Sequence, residues 1–331
     1  MHRLSPNALG ALFMSLSMLG FASNDVVMKT VSGGMELFQM VFLRGIAAVL
    51  LIFALAAWQR ALRPRITRRT ALILALRIIG ETAGAYLFLR ALFAMPIANA
   101  TAILQVMPLA VTLGAAAVFG ERLGARRLGA IAAGFAGMLI IVRPGTEGFD
   151  MNALWAVGAV VFLVVRDLST RALPPELPSA FVTLCTALGM LALGAVGTAA
   201  QGWTPPPAGA PLFLVLAAVL VLGGYYFGVL SMRAGDVAAA APFRYTILLW
   251  AMLFGALVFG ELPDAPSLFG AAVVVAAGVY TFRRERALAR AGHVAAAELG
   301  GAAATAADGR GGATPPPPPP IHDETPPRPR G

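Results

Sequence analysis

Charge is what this chain has least of. Only 12% of its 331 residues are Asp, Glu, Lys or Arg, about half the share usual in a soluble protein. Hydrophobic residues make up 58%, and the mean hydropathy is +0.78. Too few polar residues remain to cover a soluble surface, so a soluble fold is excluded. Cysteine is nearly absent as well. The one copy, Cys185, allows neither a disulfide nor a cysteine metal site, and it reads as a small apolar packing residue. Histidine is also scarce, and His2, His293 and His322 all lie outside the apolar runs. No paired carboxylates share a helix face and no G-x-x-x-x-G-K-[ST] loop occurs, so the means for hydrolysis, metal binding or ATP binding are missing. No cofactor and no metal are expected, and the chain does not read as an enzyme.

Long apolar runs are what the chain does have. Ten of them read as membrane spans: 8–28, 37–57, 71–91, 97–119, 127–142, 152–170, 179–199, 210–231, 238–259 and 267–282. A helix needs about 20 apolar residues to cross a hydrocarbon core of about 30 Å. A transmembrane barrel would alternate apolar and polar residues. Runs such as IAAVLLIFALAAW do not alternate, so the backbone must satisfy itself in lipid as helix. The first run could be a secretory signal, with a basic start and Gly20-Phe21-Ala22 as a cleavage site. It reads instead as a retained span, because NALGALF at its head returns as NALWAVG in the sixth span, and NDVVMKT at its end resembles RDLSTRA.

Arginine sets the expected orientation. Arg60, Arg63, Arg65, Arg68 and Arg69 crowd one loop, and Arg122, Arg126 and Arg127 crowd another on the same side. Arg171, Arg233 and the C-terminal flank join that side, whereas the other holds only Lys29, Arg143 and Arg90. Cationic loops stay cytoplasmic, which puts both termini inside and the chain in the plasma (inner) membrane. The net charge of +9 then reports topology and lipid contact. No nucleic-acid partner is needed to explain it.

The motif VFGE ends two apolar runs, at Glu121 and at Glu261. The first copy continues into arginines, the second into Asp264 and prolines. Superposing them sets Gly84-Ala85-Tyr86 on Gly224-Tyr225-Tyr226, and LGAIAAGFAG on FGAAVVVAAG after one insertion. The offset is about 140 residues and five spans. Five is odd, so the second half enters the membrane upside down and its motif meets the face from which arginine is excluded. Inverted repeats of this kind typify secondary transporters, with a site near the midplane. The fold expected is an all-α integral membrane protein of ten transmembrane helices in two inverted five-helix repeats, 1–145 and 146–286. A Pro/Ala/Gly-rich disordered tail, 287–331, follows. Its proline run could dock an aromatic groove as polyproline II, but a passive cytoplasmic tail is the simpler reading.

The stretches ATAILQVMPLAVTLGAAAVFGERLGARRLGAIAAGFAGMLIIVRPG and FRYTILLWAMLFGALVFGELPDAPSLFGAAVVVAAGVY resemble the EamA-type transporters of the drug/metabolite transporter superfamily, over about residues 8–283. The resemblance implies that the third, fourth, eighth and ninth helices line a central cavity and that the fifth and tenth brace the outside. It also implies transport of a small molecule, an amino acid or a related polar metabolite, by alternating access, with export as one direction. A channel or a membrane-embedded enzyme is the rival class. A pseudo-twofold pair of halves suits alternating access better than a channel.

Ionisable groups inside spans mark candidate sites. Glu81 stands mid-span with Arg77 four residues before it, close enough to pair. It is either half of a structural pair or a carboxylate facing the cavity, able to take a proton or a substrate amine. Arg244 in the ninth span either forks onto a substrate carboxylate or phosphate or snorkels to the interface. Arg44 poses the same choice on the other side. Tyr245 and its repeat counterpart Gln105, with Tyr86, Tyr225, Tyr226 and Trp250, are candidate lining residues, although aromatic residues at helical spacing more often serve packing. Asp25 and Asp167 fall near the ends of their runs and suit gating. Pro96, Pro108 and Pro242 flank or interrupt the fourth and ninth spans, and broken helices at matching places point to a binding site, although Pro242 aligns with Ala102 rather than with a proline. The expected partners are a small-molecule substrate, lipid and a coupling proton; the sequence sets no oligomeric state.

Overall fold

The computed structural model describes residues 5–62, 64, 66–121, 123–146, 149–234, 237–284 and 287. Ten helices among them are long and apolar enough to cross a membrane. In chain order the elements are α1 (Pro6–Ser32), α2 (Leu37–Trp58), α3 (Arg68–Ala94), α4 (Ile97–Leu104), α5 (Met107–Phe119) and α6 (Ala125–Val142). Then come α7 (Ala153–Ala172), α8 (Ser179–Gln201), α9 (Ala210–Ala234), α10 (Val237–Ala240), a 3-10 turn (Ala241–Tyr245) and α11 (Thr246–Phe254). A π-turn (Gly255–Phe259) and α12 (Ala265–Arg284) complete the series. The tail expected from 287 lies, apart from residue 287 itself, outside the described residues.

Local chemistry sets the helix ends. Ser5 caps α1 by accepting from the Ala8 N–H at 3.3 Å, with Pro6 at the first helical position. Thr67 caps α3 by accepting from the Thr70 N–H at 3.2 Å. The fourth span is broken at Gln105 and Val106, between α4 and α5. Pro108 has no N–H to return to the Leu104 carbonyl, so the ladder cannot run through. Gln105 and Val106 tighten instead onto Ala102 and Ile103 at 3.2 Å. The ninth span is interrupted likewise, by the 3-10 turn that holds Pro242. Gln105 and Tyr245, paired by the repeat, thus sit at the two breaks.

Lipid tails are as apolar as the helices, so association rests on close packing and hydrogen bonds. α1 runs along α9, α3 along α7, and α2 along α8. A β-carbon on Gly20 would come within 3.0 Å of the Gly224 backbone, and one on Gly80 within 2.7 Å of the Arg166 backbone. The hydroxyls of Ser17 and Ser231 donate across the α1–α9 contact to the Gly224 and Gly10 carbonyls, each at 2.7 Å. α6 packs on α4 and α5 and meets α12 where Gly137 and Gly270 touch backbone to backbone.

Candidate functional site

The close approach at Gly80 builds the centre of the site. Glu81 is the next residue, and where α3 meets α7 its Oε2 accepts from Arg166 Nη1 at 3.1 Å. Arg166 Nε donates to Asp167 Oδ1 at 2.8 Å, and its Nη2 rests 3.8 Å from Met107 Sδ beside the break in the fourth span. One guanidinium therefore serves two carboxylates. The expected Arg77–Glu81 pair is not formed. Arg77 turns to α7 and α8, donating through Nε to Thr170 Oγ1 at 2.9 Å and through Nη1 to Thr186 Oγ1. A favourable spacing on one helix is overridden by a partner that tertiary packing delivers.

A second group lies between α1 and α2. Arg44 Nη1 donates to Asn24 Oδ1 at 3.2 Å, and Asn24 Nδ2 donates to Asp25 Oδ1 at 2.9 Å. Asn24 and Asp25 are buried, at 5% and 9% exposure. Their expected place near a helix end needs correcting. The apolar run fades at residue 28, but α1 continues to Ser32, which puts both residues two turns inside. Asp167 is likewise more than a turn inside α7, which ends at Ala172.

Tyr225 lies near both groups. Its ring meets Phe21 edge-on at 5.1 Å, and its hydroxyl interacts electrostatically with Glu81, Arg166, Arg44 and Arg77. Tyr226 lies against the Phe227 ring at 5.7 Å, and Tyr86 stacks on Phe38 at 5.1 Å within the hydrophobic core. Neither is hydrogen-bonded to the ion cluster among the described residues. Tyr245 is buried, its hydroxyl set against the Cα of Gly278 and lacking a hydrogen-bond partner among the described residues. Gln105 closes α4 through its backbone.

Arg244 is different from the other three arginines. It lies in the 3-10 break and feels Asp167, Tyr245 and Arg166 electrostatically. Among the described residues it has no hydrogen bond or ion pair. Among the described residues of this site, four arginines (Arg44, Arg77, Arg166, Arg244) stand with three acids (Asp25, Glu81, Asp167), one arginine in excess. No group of three or more His, Cys, Asp or Glu among the described residues could hold a metal.

Ten apolar helices, two of them broken at matching places around a buried polar cluster, define a multi-pass membrane protein built for passage rather than for chemistry. The model of the EamA-like transporter family matches residues 8–143 and again 151–283, and the chain belongs to that family. Curated relatives agree. A riboflavin transporter of Rhizobium johnstonii is 32% identical over 63% of this chain and 69% of its own length. An S-adenosylmethionine uptake transporter of Rickettsia prowazekii is 25% identical over 84% of this chain and 93% of its own. A riboflavin transporter of Vibrio cholerae is 29% identical over 60% of this chain and 67% of its own. A solved structure titled only "Crystal structure of protein" has a TM-score of 0.59 at 21% identity, covering 84% of this chain and 98% of that one, so it shares the fold. The chain is a transporter of small metabolites, not an enzyme.

Proposed function

We propose that this chain is a secondary carrier taking up a polar metabolite with a negatively charged group, an amino acid or a relative of one, across the inner membrane. The carrying observation is Arg244, a guanidinium at the break in the ninth span with no partner of its own among the described residues. Arg244 is half-buried and without a hydrogen bond among the described residues, and a guanidinium fork matches a carboxylate or phosphate. Tyr225 and the Glu81–Arg166–Asp167 group stand within electrostatic reach of the arginines around it and would face the rest of the substrate. Asp25 and Asp167 would take part as the cavity opens to one side or the other. The name of the S-adenosylmethionine uptake relatives favours uptake over export.

In this reading the halves are 1–145 and 146–286, inverted against each other, with both termini cytoplasmic. The helix pairing supports it. A twofold exchange of halves turns the contact of the first and eighth spans into that of the sixth and third, and leaves the second and seventh paired. Glu81 would exchange Arg166 for a proton.

Uptake of labelled S-adenosylmethionine, riboflavin and neutral and acidic amino acids into right-side-out vesicles, with and without a pH gradient, tests the proposal. Carboxylate-bearing compounds should be taken up or compete, and Arg244→Gln should abolish this while Arg244→Lys keeps part of it. Uptake of riboflavin alone, unaffected by Arg244→Gln, would reject the anionic substrate class.

A further inference from the structure

The two VFGE motifs build the same device twice. At the end of the fourth span Gly120 takes a left-handed conformation, φ 71°, and turns Glu121 back to pair with Arg171 at the end of α7. The Phe119 ring lies under that guanidinium at 4.9 Å. At the end of the ninth span Gly260 does the same, φ 65°, and turns Glu261 back to Lys29 at the end of α1, at 2.7 Å. The Phe259 ring lies under that ammonium at 5.1 Å. A left-handed turn favours glycine, since a β-carbon there crowds the backbone. Each of the four residues has its counterpart: Phe, Gly, glutamate and a cation on the first helix of the other half. Lys29 is moreover the only lysine in the chain.

The two devices lie on opposite faces. Counting crossings, α1 and the ninth span end on one side, and the fourth span and α7 end on the other. Each device also ties one half of the molecule to the other. They are not equally closed. Lys29 and Glu261 have side-chain exposures of 10% and 26%, against 56% and 33% for Arg171 and Glu121. The Lys29 side adds two ties to the start of the fourth span: Lys29 Nζ donates to the Met95 carbonyl at 2.7 Å, and Glu261 Oε2 accepts from the Ile97 N–H at 3.0 Å. The stretch that would correspond to Met95 on the other side falls at residues 235–236, outside the described residues. The π-turn Gly255–Phe259 that leads into Glu261 is a local irregularity of a kind common at working sites.

We infer that Glu261–Lys29 and Glu121–Arg171 are the two gates of the transport cycle, each holding its own face shut, so that the cavity opens on a face when that face's pair parts. The inference rests on the alternating-access reading but not on the substrate. A pair of this kind suits a gate. It is directional and links the halves, and water can take over its partners once the face begins to open, so it costs little to break on the exposed side. The tighter Lys29 side is the more firmly closed in this structure.

The test uses a reporter cysteine, Tyr225→Cys with Cys185→Ala, in full-length protein in sealed vesicles of both orientations. A membrane-impermeant maleimide reads which face reaches the centre. Glu261→Gln keeps an acceptor for the Ile97 N–H while removing the charge, so it should fold. It should raise labelling from the Lys29 face by roughly tenfold, the value of losing a charge-assisted bond of about 1.4 kcal/mol, and lower labelling from the Arg171 face. Glu121→Gln should shift labelling the opposite way, by roughly twofold, as its pair is exposed. The exchanged pair Glu121→Arg with Arg171→Glu, which has no further backbone ties to lose among the described residues, should return labelling toward the parent pattern. Shifts of both single variants in the same direction, or no shift, would show the motifs to be helix-end packing and overturn the gates. Free labelling of the parent from both faces at once would reject alternating access itself, a separate failure.

Discussion

Replacing Glu81 by glutamine tests the centre of the site most directly. Glutamine keeps the shape and an acceptor oxygen 3.1 Å from Arg166 Nη1 but removes the charge. Hydrogen bonds to charged groups contribute about 1.5–3 kcal/mol and neutral ones about half that. Both side chains are largely shielded, at 17% and 18% exposure, so solvent screening removes little. Arg166 also keeps Asp167 at 2.8 Å, so no cation is left stranded. The expected cost of Glu81→Gln is therefore about 1–1.5 kcal/mol, a fall in melting temperature of about 2–5 °C for a chain of this size. Arg166→Gln strands two carboxylates at once and should cost more, about 3–5 kcal/mol.

The assay is thermal unfolding of the purified transporter in detergent, run as two double-variant cycles. The Glu81–Arg166 cycle should show coupling of about 1 kcal/mol or more. The Glu81–Arg77 cycle should show clearly less, because Arg77 spends its donors on Thr170 and Thr186. Stronger coupling of Glu81 to Arg77 than to Arg166 would refute the geometry and restore the pair expected from i, i+4 spacing. If protons drive transport through Glu81, the same Glu81→Gln protein should insert normally and lose its dependence on the pH gradient.

Three further outcomes follow from the packing. Gly80→Val forces a side chain into backbone 2.7 Å away and should destabilise by about 1–3 kcal/mol, while Gly223→Ala, with nothing within 4 Å, should stay near wild type in the same melt. Thr186→Val removes a buried acceptor of Arg77 and should cost about 1–3 kcal/mol, more than Thr170→Val at the exposed end of the same guanidinium. Hydrogen bonds from Arg143, and then from Ser267, hold the Asp264 carboxyl down to about 2 from 3.8. A depressed carboxyl stabilises the fold above its unfolded value and loses that contribution as pH falls. Wild-type melting temperature should thus drop between about pH 4 and pH 2, and Asp264→Asn should flatten that limb; an identical limb in the variant would remove Asp264 from it.

What was legible in the sequence was what is local or repeated. Ten spans follow from unbroken apolar runs, and the two helix breaks from Pro108 and Pro242, whose chemistry acts on their own turn. The partner of Glu81 was not legible. Arg166 lies 85 residues away in the other half, and it arrives there only because Gly80 lets α3 and α7 touch. Spacing along one helix proposed Arg77 in its place, and spacing carries no knowledge of a neighbouring helix. The depth of Asn24 and Asp25 was misjudged because the end of an apolar run is not the end of a helix. The gates were nearly readable. The likeness of NDVVMKT to RDLSTRA, at an offset of 142 residues where Glu121 and Glu261 differ by 140, sets Lys29 on Arg171. Few cations lie on the Lys29 face, so the presence of this one calls for a cause. Glu261 supplies the reason. A glutamate turned back by a left-handed glycine needs a cation opposite it, and an inverted repeat puts that requirement once on each side of the membrane.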